Sequence, residues 1–121
     1  MRMGYTHYWK VRKPFTDEGW TAFVNECKEI FDKATVPLAN GLGEKGTKPV
    51  IEADKIMFNG VEDDSHETCC IVKGATDFEF CKTSHKPYDA VVVEVLIAAQ
   101  IHNLSIELTS DGGPNVFGHE S

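Results

Sequence analysis

The residues that follow Thr16 constrain the fold most strongly, because their apolar side chains recur at helical spacing. These positions lie three or four residues apart, which places them on one face of an α-helix; they are Trp20, Phe23, Val24, Cys27, Ile30, Phe31 and Ala34. Thr16 is a favoured N-cap residue, and Asp17 and Glu18 suit the positive end of the helix dipole. The pattern predicts an amphipathic helix over residues 17–34, whose apolar face must pack on another element.

Alternating segments predict the strands that would cover this helix. In residues 4–12, His7, Trp9 and Val11 share one face with Tyr5, whereas Tyr8 lies on the other. Aromatic rings on both faces suggest that one face packs on the core and the other lines a site. Further strands are predicted over 50–58, 67–73, 78–82 and 104–109. The Asn59-Gly60 pair predicts a hairpin turn, and residues 37–49 predict a long surface loop.

A second helix is predicted over residues 87–102. Residues 90–101 are apolar nearly all round, so we expect this helix to be buried; its valines leave a strand start as the alternative. The fold class is then α+β, in the order β-α-β-β-β-α-β. We predict one domain over residues 1–121, ordered over about 4–112 with a loose C-terminal tail. It would hold an antiparallel or mixed sheet of about four to five strands packed with two helices.

The charge balance restricts the partners of the chain. Twelve Lys and Arg residues against nineteen Asp and Glu residues give a net charge of -7, which disfavours duplex nucleic acid. No stretch is long and apolar enough for a membrane anchor, and basic residues interrupt any signal peptide. We therefore expect a cytoplasmic protein whose four cysteines are reduced and buried, with a zinc or disulfide framework as the alternative.

The first candidate site is the aromatic start of the chain. Tyr5, Tyr8 and Trp9 carry rings of the kind that stack on nucleobases. The imidazole of His7 can donate to a phosphate or act as a base. The alternative is that Tyr5 and Trp9 belong to the core and that His7 is a hydrogen-bonded structural histidine.

The second candidate site is the entrance to the later helix. Hydroxyl and amine groups cluster there, in the residues Lys82, Thr83, Ser84 and Lys86, followed by Tyr88 and Asp89. Backbone N–H groups at a helix start favour an anion, so this segment predicts a phosphate cradle. Asp89 or Asp111 would accept from a ribose hydroxyl or a base edge. The alternative is a capped helix whose lysines are only solvated.

The acidic segment 62–67 holds carboxylates and His66, which are metal-ligand types. Its spacing matches neither an EF-hand nor a zinc-protease motif, and a solvated hairpin tip is the favoured interpretation. We therefore predict no metal and no cofactor. His102, near the end of the second helix, is interpreted as structural.

Several of these motifs together resemble a small protein family that is scattered through bacteriophages and bacterial mobile elements and has no assigned activity. The resemblance is carried by Gly-Tyr-Thr-His-Tyr-Trp at 4–9, His-Glu-Thr at 66–68, Phe-Cys-Lys-Thr at 80–83, Lys-Pro-Tyr-Asp at 86–89 and Ser-Asp-Gly at 110–112. It covers residues 4–112. Family members tend to carry a His-His pair after the second helix, where this chain has His102-Asn103, which weakens a catalytic role for His102.

Phage proteins of this size often counter host defence, so the resemblance implies a role of that kind. The leading hypothesis is a non-enzymatic binder that sequesters a small phosphorylated nucleotide-derived ligand, such as a host immune signal, as a homodimer or higher homo-oligomer. One alternative is a phosphodiesterase or nucleotide hydrolase with His7 or His85 as acid or base and Lys82 stabilising charge. Another is a protein-protein inhibitor of a host defence complex.

Overall fold

The computed structural model describes residues 5–111, and the described chain is an α+β domain, as the sequence predicts. Its elements are, in chain order, β1 (Thr6–Val11), α1 (Asp17–Lys33), β2 (Val50–Ile51), β3 (Lys55–Phe58), β4 (Cys69–Val72), β5 (Phe78–Lys82), α2 (Asp89–His102) and β6 (Ile106–Ser110), with a 3₁₀ turn at Glu62–Asp64. The predicted C-terminal tail lies outside the described residues.

The strands of the described residues form two antiparallel sheets of three strands each. The terminal sheet has the order β5-β1-β6, and the middle sheet has the order β2-β3-β4. The described residues therefore hold six strands in two sheets, whereas the sequence predicts about four to five strands in one sheet. The segment predicted as one strand over 50–58 is a short hairpin, β2 and β3, which the backbone bond from Glu52 N–H to Lys55 C=O closes at 2.8 Å.

The first helix forms where its sequence pattern predicts it. The hydroxyl of Thr16 accepts a hydrogen bond from the Gly19 backbone N–H at 2.9 Å, which caps the first turn. Trp20, Phe23 and Cys27 are buried along its apolar stripe. The Trp20 indole also donates to the carbonyl of Ala53 at 2.9 Å, so its polar atom is satisfied.

The second helix is the centre of the core. It starts at Asp89, two residues later than predicted, and buries the side chains Val91, Val92, Val95, Leu96, Ala98 and Ala99. They form one cluster with Trp9 of the terminal sheet, Phe58 of the middle sheet and Phe23 of α1. Burial on several sides outweighs the low helix propensity of the valines, because packing supplies most helical stability in proteins. The alternative of a strand in this region is wrong.

The Asn59-Gly60 pair does not form the predicted hairpin turn. Phe58 is paired with Cys69, so the connection between β3 and β4 is a longer loop. The Asn59 side chain is 2% exposed and organises this loop from inside. Its amide donates to the carbonyls of Gly41 and His66, and its carbonyl accepts from the backbone N–H of His66 at 2.9 Å. Asn59 therefore stabilises the loop through buried side-chain hydrogen bonds and does not occupy a two-residue hairpin turn.

All four cysteines are free thiols, and Cys27, Cys69 and Cys81 are buried. Burial raises the pKa of the Cys27 thiol, and it also raises the pKa of the half-buried Cys70. Thiols that resist ionisation are poor nucleophiles and metal ligands. The expected burial holds for three of the four cysteines, and Cys70 is the exception. Among the described residues, no helix combines the length and apolar character needed to cross a membrane.

Candidate ligand-binding site

The two predicted site segments meet at one end of the terminal sheet. β1 pairs with β5 so that Thr6 lies opposite Lys82 and His7 lies opposite Cys81. The Thr83 backbone N–H donates to the Tyr5 carbonyl at 2.8 Å and continues this pairing beyond β5. The end of β6 joins them, because β1 and β6 are also paired. The start of β1, the end of β5 and the start of α2 thus share one region.

A buried hydrogen-bond network lies on the helix-facing side of this region. His7 is 0% exposed, and its Nε2 lies 2.7 Å from Oδ1 of Asp89. The Thr83 hydroxyl donates to the same Asp89 oxygen. Burial alone would raise the pKa of the Asp89 carboxyl. The hydrogen bonds from His7 and Thr83, with the electrostatic attraction of His7 and His85, outweigh burial and hold that pKa below its usual value.

The turn between β5 and α2 covers this network. Ser84 and His85 both have left-handed backbone conformations, with φ of 54° and 59°. Such conformations are unfavourable for residues with a side chain and persist only where the surroundings impose them. Here the His85 ring lies against the Tyr5 ring, with centroids 3.9 Å apart, and Tyr5 meets the edge of His7 at 5.0 Å. The turn thereby closes His7 and Thr83 off from solvent.

Two predicted ligand residues lie in the core. Trp9 is 3% exposed and packs among the residues of the central cluster. Tyr88 is 0% exposed, and its hydroxyl donates to the carbonyl of Glu67 at 2.6 Å. Neither ring has a surface left for a ligand, so the interpretation of Trp9 as a core residue is the one that its burial supports.

The opposite face of the terminal sheet carries exposed aromatic rings. Tyr8 lies opposite Phe80, and Phe78 follows on the same face of β5. Phe78 is 58% exposed and Phe80 is 51% exposed. The rings of Tyr8 and Phe78 are stacked, with centroids 5.8 Å apart and an interplanar angle of 26°. We call the surface formed by Tyr8, Phe78 and Phe80 the aromatic face.

Charged side chains border the aromatic face. Lys10 lies opposite Phe78, and Lys82 is two residues beyond Phe80, so both amines lie on the outer side of the sheet. Asp111 lies at the Thr6 end of the face. Its Oδ1 accepts from the Tyr8 hydroxyl at 3.1 Å, and its Oδ2 accepts from the Thr6 backbone N–H, also at 3.1 Å. The carboxylate is thus held in a fixed orientation beside an aromatic ring.

The structure divides the predicted site residues between two faces of one sheet end. Tyr5, His7, Thr83 and Asp89 form the inner network, whereas Tyr8, Lys82 and Asp111 lie on the outer face. Ser84 and Lys86 are half-buried in the turn that joins β5 to α2. Sequence reasoning missed Phe78, Phe80 and Lys10. The signal for the two phenylalanines was the alternation in β5, in which Phe78, Phe80 and Lys82 share a face. The signal for Lys10 was the alternation in β1, which places it on the face of Tyr8.

The remaining candidates lie elsewhere. His102 Nε2 is 2.8 Å from Oε1 of Glu26, which ties α2 to α1 and supports a structural role. Glu62–Asp64 form an exposed 3₁₀ turn. Within residues 5–111, His, Cys, Asp and Glu side chains do not gather in threes at a place that could hold a metal ion.

Two grooves also lie away from the predicted residues. One, of about 390 Å³, runs between α1 and α2 and contains the carboxylates of Glu26, Glu29 and Glu94. The other, of about 410 Å³, combines apolar residues, among them Phe31, Val36 and Leu38, with the charged residues Lys28, Asp32 and Lys48. In the groove between α1 and α2, three carboxylates outnumber the single amine of Lys33, which disfavours a phosphate there. We call the second groove the apolar groove.

The lowered pKa of Asp89 predicts how acid affects stability. A carboxyl whose pKa is depressed on folding stabilises the protein above its unfolded pKa, near 3.8 here, and that stability is lost as the pH falls through the folded pKa. We therefore expect Asp89→Asn to have a lower free energy of unfolding than the wild type, and we expect this difference, the stability margin, to be largest at pH 5–7. The margin should shrink as the pH falls below 3.8. Urea unfolding at several pH values measures it, and a margin that does not change with pH would contradict the assignment.

Comparison of the chain with protein-family models, with curated proteins and with solved structures found no match.

Proposed function

We propose that this protein binds a small phosphorylated nucleotide-derived ligand and does not chemically change it. The base of the ligand would stack on the aromatic face, and the phosphate would lie at Lys82. The observation that carries the proposal is the exposure of Phe78 and Phe80 beside Tyr8, three rings on one face of one sheet. Stacking on such rings contributes about 1–3 kcal/mol per base and tolerates any base, because every base has a π face.

The charge distribution supports a phosphate beside these rings. The chain carries a net charge of -7, yet Lys82 lies two residues beyond Phe80 on the outer face of the terminal sheet. Lys10 lies at the other end of the aromatic face and has Glu107 opposite it. Residues at i and i+2 of a strand are separated by about 7 Å. Phe80 and Lys82 have this spacing, which suits a base and its own phosphate in one nucleotide. The acidic remainder of the surface disfavours a long polyanion such as duplex DNA.

Burial of the inner network favours a binder over a hydrolase. A general base must come within hydrogen-bond reach of its substrate. His7 and Thr83 are both 0% exposed and are engaged with Asp89. The hydrolase alternative therefore depends on His85, which is exposed but lies against Tyr5.

Sequestration adds a second requirement, which is a cover for the ligand. An open sheet face contacts only one side of a stacked base, so tight binding needs another surface above it. A second copy of the chain supplies one with the same chemistry, and we expect a homodimer that holds the ligand between two aromatic faces. Light scattering after gel filtration should give twice the 13.5 kDa chain mass with ligand present. A monomeric complex would contradict the dimer and leave the binding site untouched.

The resemblance to phage and mobile-element proteins extends the proposal to the role in the cell. A binder of this size would act by withdrawing a host immune signalling nucleotide from its receptor. This role rests on the resemblance, whereas the ligand class rests on the aromatic face.

Calorimetry with purified protein tests the proposed function. The panel contains the four ribonucleoside monophosphates, cyclic dinucleotides and ADP-ribose. We expect at least one of them to bind and to be recovered intact by chromatography. Recovery of a hydrolysed product would favour the hydrolase alternative. If none of these ligands bound, the proposed function would be contradicted. Co-purification of a host protein through salt-sensitive contacts would then favour the inhibitor.

Lys82 gives a prediction that separates phosphate binding from stacking. We expect Lys82→Gln to weaken binding of a nucleoside monophosphate about fivefold, because an exposed ion contact contributes up to about 1 kcal/mol. Binding of the matching nucleoside, which lacks the phosphate, should not change. Lys45→Gln, which changes an exposed lysine in the loop between α1 and β2, is the control. Equal weakening of nucleotide and nucleoside by Lys82→Gln would contradict a phosphate contact.

A further inference from the structure

We propose that Asp111 makes the aromatic face selective for guanine, an inference that rests on the proposed function and adds a ligand identity to it. The carboxylate of Asp111 lies at the rim of the Tyr8 ring, because Oδ1 accepts from the Tyr8 hydroxyl at 3.1 Å. A base that stacks on this ring therefore presents an edge toward Asp111. The exposed side chain of Asp111 is open to that edge.

The hydrogen bonds of Asp111 leave it able to accept more. An ionised carboxylate has about four acceptor positions. Oδ1 uses one for the Tyr8 hydroxyl, and Oδ2 uses one for the Thr6 backbone N–H. Each oxygen can therefore accept a further hydrogen bond, and the two existing hydrogen bonds fix the plane of the carboxylate. A fixed pair of acceptors is complementary to a pair of adjacent donors.

Guanine is the base whose Watson–Crick edge offers two adjacent donors, N1–H and the exocyclic N2 amino group. Adenine and cytosine each place an amino donor next to a ring-nitrogen acceptor, which a carboxylate oxygen repels. Uracil has one N–H between two carbonyl groups. A bidentate contact with a base edge contributes about 1–3 kcal/mol of discrimination. Because Asp111 is exposed, we expect the lower part of this range, about tenfold tighter binding of GMP than of AMP.

The test is calorimetry with GMP, AMP and IMP on the full chain. GMP should bind about tenfold more tightly than AMP, and IMP, which lacks the 2-amino group, should bind at least threefold more weakly than GMP. The IMP comparison needs no variant, so it holds even where a substitution disturbs folding. Equal affinities for GMP, IMP and AMP would overturn guanine selectivity and leave the proposed function standing. No binding by any nucleotide would overturn both.

Asp111→Asn assigns the selectivity to this residue. Asn pairs its acceptor with an amide donor and so complements adenine better than guanine. We expect the ratio of GMP to AMP affinity to fall from about ten to about one. Glu107→Gln removes the same charge from the outer face of β6, the strand that ends just before Asp111, and should keep the ratio. A ratio that survives in Asp111→Asn, or that falls equally in Glu107→Gln, would overturn the role of Asp111.

Discussion

Replacing Phe78 and Phe80 together with alanine is expected to weaken binding of GMP about a hundredfold. Stacking of one base on aromatic side chains contributes about 1–3 kcal/mol. Removal of both phenylalanines, which lie on one face beside Tyr8, should lose the upper part of this range. The free energy of unfolding should change by less than about 0.5 kcal/mol per site, because both side chains are more than half exposed. Calorimetry measures the first quantity and urea unfolding measures the second.

Leu104→Ala is the matched control for this double variant. Leu104 is 86% exposed and lies in the connection between α2 and β6. Its truncation also removes an exposed apolar side chain, yet it should leave GMP binding unchanged. A double variant that binds GMP within threefold of the wild type would show that the aromatic face is not the binding surface.

Replacing His7 with alanine is expected to lower the free energy of unfolding by about 3 kcal/mol. The imidazole is 0% exposed, so its removal leaves a cavity in packed surroundings. It also removes a hydrogen bond to Asp89, whose side chain is only 22% exposed. A hydrogen bond to a charged group contributes about 1.5–3 kcal/mol, and the loss of one partner leaves the other poorly solvated. Urea unfolding at pH 7 gives the value.

The second histidine–carboxylate pair of the fold is the control for His7. His102 Nε2 lies 2.8 Å from Glu26, nearly the same separation as the 2.7 Å of the buried pair. The side chains of His102 and Glu26 are 24% and 40% exposed. Water therefore weakens this pair, and His102→Ala should cost less than about 1 kcal/mol. Equal losses for the two variants would show that burial of His7 does not decide its contribution.

The helices could be predicted from the sequence because their signals are local. The Thr16 cap and the spacing from Trp20 to Phe31 define α1 within one residue of its observed end. The alternation of His7, Trp9 and Val11 groups these residues on one face of β1 for the same reason, and the structure shows that this face is the buried one. These signals depend only on side chains a few positions apart.

The sheet arrangement could not be predicted, because pairing joins distant residues. β1 pairs with β5 and β6, and each of these lies far along the chain from it. Alternation tells which residues share a face, but it does not tell which face the helices cover. In β5 the phenylalanines point outward while Glu79 and Cys81 point inward, the reverse of the usual pattern for a half-buried strand.

The candidate site was predicted in part for the same physical reason. The sequence predicted Tyr8, Lys82 and Asp111 in a ligand site. Tyr8 is part of the aromatic face, and Lys82 and Asp111 border it. Thr83 and Asp89 were predicted in the site because polar side chains near a helix start suggest a ligand, and His7 because an imidazole can donate to a phosphate. Their burial shows that they bind one another. Local sequence cannot separate an internal polar network from a binding site, because both use the same residue types.

The location of a bound nucleotide is the most direct test of the central claim. The measurement is a titration of ¹⁵N-labelled protein with GMP, followed by the backbone amide chemical shifts. The proposal predicts that the largest changes map to Tyr8, to residues 78–82 and to Asp111, with the groove residues Phe31 and Val36 unaffected. The proposal would be contradicted if the largest chemical-shift changes mapped to the apolar groove or to the groove between α1 and α2 while the shifts of the terminal sheet stayed unchanged.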